Sequence, residues 1–206
     1  MIIIIGMHRS GTSAMAGLLH NNGIIMGEEK NFIPSPSKQN PKGFYENYLF
    51  RTLNDKILLE YHYKAKSFSP LIPVITESRY ETDMKYLVHN YNMKYKKWGW
   101  KDPRTSLTLK VWMKLIKKPY IIVMHRDKSS VVNSMIKRRN GKKEKLESLY
   151  DSYYNSISMF LPNKRVKHIN FEDLCDNTKK ISNSISSFLK HPIKDLKFID
   201  KRLNHN

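Results

Sequence analysis

The chain opens with MIIIIGMHRSGTSAMAGLL, residues 1–19, and the reading of this stretch decides the fold. Ile2 to Ile5 form a β-branched apolar run too short for a helix and bounded by Gly6, the pattern of a buried strand. Met15, Leu18 and Leu19 recur at helical spacing behind Gly11, Thr12 and Ser13, so strand, glycine loop and helix follow in order. A helix N-terminus offers unpaired N–H groups and the positive end of its dipole, and a glycine-bearing turn lets an anion come close to both. The spacing Gly6-x-x-x-x-Gly11 matches a nucleotide P-loop, but Thr12 stands where such loops carry the lysine that reaches the β- and γ-phosphates. Arg9 lies inside the loop instead. The stretch therefore predicts a phosphate held by the Thr12 and Ser13 hydroxyls and backbone donors, with Arg9 reaching the next group, and it disfavours a magnesium triphosphate. A tight strand-to-helix turn without a ligand is the alternative reading of the same glycines.

Length and charge bound the rest. A chain of 206 residues with 40% hydrophobic content suits one domain, residues 1–206, with a proper core. Its net charge of +19 calls for an anionic partner: a nucleotide, an acidic glycan, nucleic acid or lipid. Cys175 is the lone cysteine, which excludes an internal disulfide and suits a reducing compartment. No signal-peptide pattern and no membrane-length apolar run is evident, so the expectation is a soluble, cytoplasmic protein without a membrane span.

Further along, residues 28–43, with Pro34, Pro36, Pro41 and Gly43, predict a long loop, and 28–46 is expected to move. Helices are predicted over 47–61, with Tyr48, Leu49, Leu53, Ile57 and Leu58 on one side, and over 81–95, 106–116, 129–137 and 144–161. Short strands are predicted near 24–26 and at 97–100, 120–124 and 165–171, followed by one last helix, with 138–145 a basic loop. Strands alternating with helices imply an α/β fold with a mainly parallel sheet, whose ligands gather at the carboxyl ends of the strands. GMHRSGTS, WKDPR and HRDKSSVVNS all sit where strands end, which favours one shared site.

In the last of these, Arg126 follows a strand and Ser134 comes eight positions later. An arginine and a hydroxyl at such a junction can hold a second phosphate, as a 3′,5′-bisphosphorylated adenosine would require. Arg126 pairing with Asp127 or another carboxylate is the competing reading. Lys101, next to Asp102 and Arg104, can neutralise charge that builds on a transferring group. Asp102, before Pro103, suits a turn or helix cap equally well.

Taken in order, HRSGTS, NPKGFYEN, WKDPR, HRDKSSVVNS and INFEDL resemble the sulfotransferase family that uses 3′-phosphoadenosine 5′-phosphosulfate, over residues 1 to about 175. The resemblance implies a P-loop-like three-layer α/β fold, with helices flanking a central parallel sheet. It implies that Arg9, Ser10, Gly11, Thr12 and Ser13 hold the 5′ end of the donor and that Arg126 and Ser134 recognise the 3′-phosphate. Lys101 is similar in placement to a lysine beside the transferring sulfonate, with Arg9 also in the catalytic group and no metal needed. The best-known cytosolic relatives place histidine two positions after that lysine; here it is Pro103. Relatives of the bacterial type carry a glutamate after the first loop, so the resemblance implies Glu46 as the base, a carboxylate that steadies the N-terminus of the next helix being the competing reading, with Asp102 the runner-up and His8 and His125 neighbours of the loops. The implied reaction moves a sulfonate from the nucleotide to an acceptor hydroxyl, a carbohydrate being the first choice, with the stretch Phe44–Tyr80 as a possible lining of the acceptor pocket. A P-loop nucleotide kinase and a basic nucleic-acid-binding protein are the two alternatives; the first lacks its lysine, the second a recognisable reading element.

Overall fold

The computed structural model describes residues 1–34, 42–139 and 141–200. At its centre lies β1 (Ile2–Ile5), paired in parallel with β2 (Gly99–Lys101) on one side and β3 (Tyr120–His125) on the other. β4 (Val166–Asn170) pairs in parallel with β3, so the sheet order is β2-β1-β3-β4 and all four strands end at the same edge.

The isoleucine run makes sense in this setting, because successive side chains of a strand point to opposite faces and a parallel sheet is covered on both. Ile3 and Ile5 join a core with α2 (Tyr48–Glu60), α3 (Glu81–Lys94), α4 (Thr105–Leu115) and α6 (Lys143–Phe160). Ile2 and Ile4 join a second core with α1 (Thr12–Asn21), α7 (Phe171–Asp176) and α8 (Thr178–Leu189). Each such buried isoleucine stabilises the fold by roughly 1.5–3 kcal/mol. The result is the expected three-layer α/β arrangement. α5 (Lys128–Arg139) leaves the end of β3.

Several boundaries differ from the sequence reading. Asn47 caps α2, its side-chain oxygen accepting from the Leu49 N–H at 3.0 Å, and the buried stripe becomes Phe50, Leu53, Asn54, Ile57 and Leu58. Tyr48 and Leu49 are exposed instead, because Phe50 stacks on Trp100 at 4.5 Å and turns that face inward. The region near 24–26 forms only an isolated bridge, Ile25 with Trp98. The basic loop is shorter than 138–145, since α5 runs to Arg139 and α6 starts at Lys143. Two helices, α7 and α8, follow β4 where one was expected. The loop at 28–46 is tied at its ends by the bridge of Phe32 with Asn47 and by the Ile33 N–H donating to the Glu46 carbonyl at 3.0 Å. Its residues 35–41 lie outside the described set. No helix among the described residues is long and apolar enough to cross a membrane.

Beneath the ends of β1 and β2 lies a buried polar knot around Asn54. Its amide donates to Asp102 Oδ2 and Thr105 Oγ1, both at 2.9 Å, while its carbonyl oxygen accepts from Thr108 Oγ1 at 2.7 Å and Trp112 Nε1 at 2.8 Å. A buried polar group is tolerated when its hydrogen bonds are made, and costly when one partner is removed. Asn54→Ala should therefore lower stability by about 3 kcal/mol, because it strips partners from a buried carboxylate and a buried indole together. Urea unfolding checks this; a loss below about 1 kcal/mol would contradict the knot's structural role.

Candidate active site

Gly6 and Gly11 frame the loop between β1 and α1. Gly6 (φ +146°) lies so close to its surroundings that a Cβ there would fall 2.6 Å from the Met124 carbonyl oxygen. At Gly11 (φ +86°) a Cβ would fall 2.3 Å from the Phe171 ring. Glycine is required at both positions for space and for conformation. Ser106 ties the end of β1 down, accepting from the Gly6 N–H at 3.0 Å. Gly11 is the N-cap of α1 and makes no side-chain cap, so the first-turn N–H groups at Thr12, Ser13 and Ala14 open into a cleft that those residues line.

Arg9, in the left-handed region at φ +69°, reaches across this cleft, where Nε donates to Ser134 Oγ on α5 at 2.8 Å. Arg126 Nη1 donates to the Arg9 carbonyl at 3.2 Å, and its guanidinium lies over the Phe171 ring at 4.9 Å. Glu172 approaches Arg126 Nε at 3.7 Å and is the carboxylate that meets this arginine, whereas Asp127 Oδ1 accepts from the Ser129 hydroxyl and, at 2.8 Å, from the Ser130 N–H. Arg138 completes a cationic arc from the last turn of α5. Burial, and after it the charges of Arg138 and Arg126, lowers the Arg9 pKa from its ordinary value. Burial lowers that of Arg126 too, against the raising effect of Glu172. Guanidiniums crowded in this way are relieved by an anion placed among them.

Opposite the arc, Lys101 Nζ, at the end of β2 and 1% exposed, donates to Glu46 Oε1 at 2.9 Å. Glu46 comes from the segment that enters α2, and Arg104 Nη1 stands 3.9 Å from its other oxygen. Asp102 is turned away from the cleft and fully buried. It accepts from Arg104 Nη1 and from the Arg104 N–H, at 2.9 and 3.1 Å, besides its bond from Asn54. Burial works against its charge, but Arg104 and Asn54 outweigh burial and hold the carboxyl below the usual range. A second cavity adjoins the first, and His8, Arg9, Phe44, Glu46 and Arg138 line both.

Of the residues singled out in the sequence, Arg9, Gly11, Thr12, Ser13, Glu46, Lys101 and Arg126 thus line one cleft. Ser134 stands behind Arg9, and Ser10 is buried with its hydroxyl donating to the Met7 carbonyl at 2.7 Å. His125 points elsewhere, stacked on Tyr154 and 2.8 Å from His168. Among the described residues no group of three or more His, Cys, Asp or Glu could hold a metal ion.

The sequence matches the model of the sulfotransferase family over residues 2–195. This chain belongs to the sulfotransferase family. No curated protein matches it significantly. Among solved structures, this sulfotransferase resembles the sulfotransferase domain of the Synechococcus PCC 7002 olefin synthase, with a TM-score of 0.63 and 14% identity over 95% of this chain and 74% of that one. The sulfotransferase domain from the curacin biosynthetic pathway gives a TM-score of 0.63 and 16% identity over 95% of this chain and 75% of the other. The sulfotransferase STF9 from Mycobacterium avium gives 0.55 and 11%, over 98% of this chain and 66% of that one. At such identities the likeness is one of fold, and it bears out the P-loop-like architecture.

Phe44, from the stretch expected to line an acceptor pocket, lines the cleft too; Lys42, Arg138, Phe171 and Phe198 also line it and were not foreseen. Arg138 had a signal, since it follows Ser134 by one helical turn and so shares its face. Phe198 had none: the segment after α8 folds back over α1, where the Phe198 ring occupies the space a side chain at Gly17 would need. Lys42 Nζ donates to the Phe198 carbonyl at 2.7 Å.

Gly11→Ala should lose roughly 1–3 kcal/mol of stability from left-handed strain, and more from displacing Phe171. Urea unfolding reads the loss, and a variant as stable as the parent would show that the loop tolerates another conformation.

Proposed function

We propose that this sulfotransferase moves a sulfonate from 3′-phosphoadenosine 5′-phosphosulfate to a hydroxyl of an acceptor, a carbohydrate being favoured, in a cytoplasmic setting. The observation that carries the reading is the cationic arc of Arg9, Arg126 and Arg138 set across the open N-terminus of α1. It supports a donor with phosphate groups at two ends. Gly11, Thr12 and Ser13, with Arg9, would hold the 5′ end; Arg126, with Ser134 orienting Arg9 beside it, would hold the 3′-phosphate. Ser10 shapes the loop on this reading, its hydroxyl being engaged by Met7.

The donor supplies a sulfonate on a phosphate leaving group. Glu46 stands where the two cavities meet and acts as the base, taking the acceptor proton on a carboxylate oxygen as the hydroxyl oxygen attacks the sulfur, the bond from sulfur to the 5′-phosphate oxygen breaks and adenosine 3′,5′-bisphosphate leaves. Lys101 positions Glu46 through the 2.9 Å bond and, with Arg9, offsets the negative charge that develops between them. Asp102 is assigned a structural role, since its oxygens are taken up by Arg104 and Asn54. No metal enters this scheme. The family match favours it over the kinase alternative, and the inward-facing arginines favour it over nucleic-acid binding.

Thermal shifts with adenosine 3′,5′-bisphosphate and with AMP, at fixed salt, test the donor site. A ligand at about 100 times its dissociation constant should stabilise the native state by roughly 2.7 kcal/mol. Arg126→Ala should weaken the bisphosphate by about tenfold or more and AMP little, because a charge-assisted pair to the 3′-phosphate is lost; equal losses would overturn the assignment. Glu46→Gln keeps an oxygen for Lys101 yet removes the base. Turnover should fall at least about a hundredfold while bisphosphate affinity stays within a few-fold, and near-normal turnover would place the base elsewhere.

A further inference from the structure

The cavity beside the donor cleft combines an apolar wall with cations at its lining. Ile33, Pro34, Phe68 and Met135 supply the wall, and Arg51 and Lys66 bring charge from α2 and from the 3-10 turn Ala65–Ser67. Asp55, the carboxylate nearest Arg51, is shared: its Oδ1 lies 2.7 Å from Arg104 Nε, and its Oδ2 stands at a longer 3.7 Å from Arg51 Nε. Lys66 is exposed and has no ion-pair partner among the described residues. Glu46 is the one carboxylate lining this cavity among the described residues, and Lys101 already holds it. The cavity therefore carries more positive than negative charge, next to surfaces that suit the face of a ring.

Resting on the sulfonate-transfer reading, we infer that the acceptor is an acidic glycoside, whose carboxylate pairs with Arg51 and Lys66 while its ring lies against Phe68 and presents a hydroxyl toward Glu46. A neutral sugar leaves Lys66 without an ion-pair partner among the described residues and Arg51 with only the carboxylate it shares with Arg104, and it draws nothing from the +19 field of the chain. An arginine and a lysine converging on one carboxylate give charge-assisted hydrogen bonds, the stronger kind.

The test is equilibrium titration at fixed ionic strength with phenyl β-D-glucuronide and phenyl β-D-glucoside, a pair that differs only in carboxylate against hydroxymethyl, with and without adenosine 3′,5′-bisphosphate. The parent protein should bind the glucuronide about tenfold more tightly, and R51Q/K66A should bring the two within about twofold. K179A/K180A removes the same charge from α8 and should keep the preference. Equal affinities in the parent, or an equal loss of preference in K179A/K180A, would overturn the proposal by showing no selection or only a general field. The titration needs no turnover, so its failure leaves donor binding and transfer standing, whereas the thermal shift with the bisphosphate reports on those by itself.

Discussion

The contact between the β1–α1 loop and the strands beside it governs the rest of the molecule. Met124 of β3 and Phe171 after β4 press so closely on Gly6 and Gly11 that the loop has one course available, up from the sheet and over into α1. That course leaves the helix N-terminus bare and brings Arg9 across to Ser134. A non-glycine residue held at positive φ costs energy, and Arg9 is held there by bonds from its own side chain and to its own carbonyl.

Charge is arranged in two layers around that loop. Behind the cleft, Arg104 is matched by Asp102, Asp55 and Glu46, and Asn54 satisfies what remains, so burial is offset and the scaffold is stiff. In front, Arg9, Arg126 and Arg138 gather around the cleft, with Glu172 at 3.7 Å from Arg126 Nε and Glu46 held by Lys101 on the opposite wall. The first arrangement stabilises the protein as it stands; the second crowds positive charge that an anion would relieve. Lys101 and Glu46 sit on the boundary between the layers, which is why a buried lysine and a partly exposed carboxylate form a pair at that spot.

Much of this was legible in the residues. Four β-branched side chains closed by glycine can hardly be anything but a strand, and Arg9, Thr12, Ser13 and Arg126 follow strand ends where a parallel sheet gathers its ligands. Asp102 was harder, because a carboxylate beside a proline reads equally as a cap or a base; only its bonds to Arg104 and Asn54 separate the two. The face of α2 was misread because Tyr48 and Leu49 are apolar at the right spacing, while the stacking of Phe50 on Trp100 joins residues 50 apart in the chain. Phe198 could not have been found, since its place depends on a segment returning over Gly17.

By itself the sequence determined the order of the four strands of the sheet and of most helices, the glycine loop, the excess positive charge and the membership of the sulfotransferase family, because these rest on local periodicity, composition and ordered motifs. Tertiary structure decided which charges are neutralised and which are left facing a cavity. That depends on side chains from distant elements arriving within a few ångströms of one another, as Arg104 meets Asp55 and Lys101 meets Glu46, and no local pattern encodes such distances.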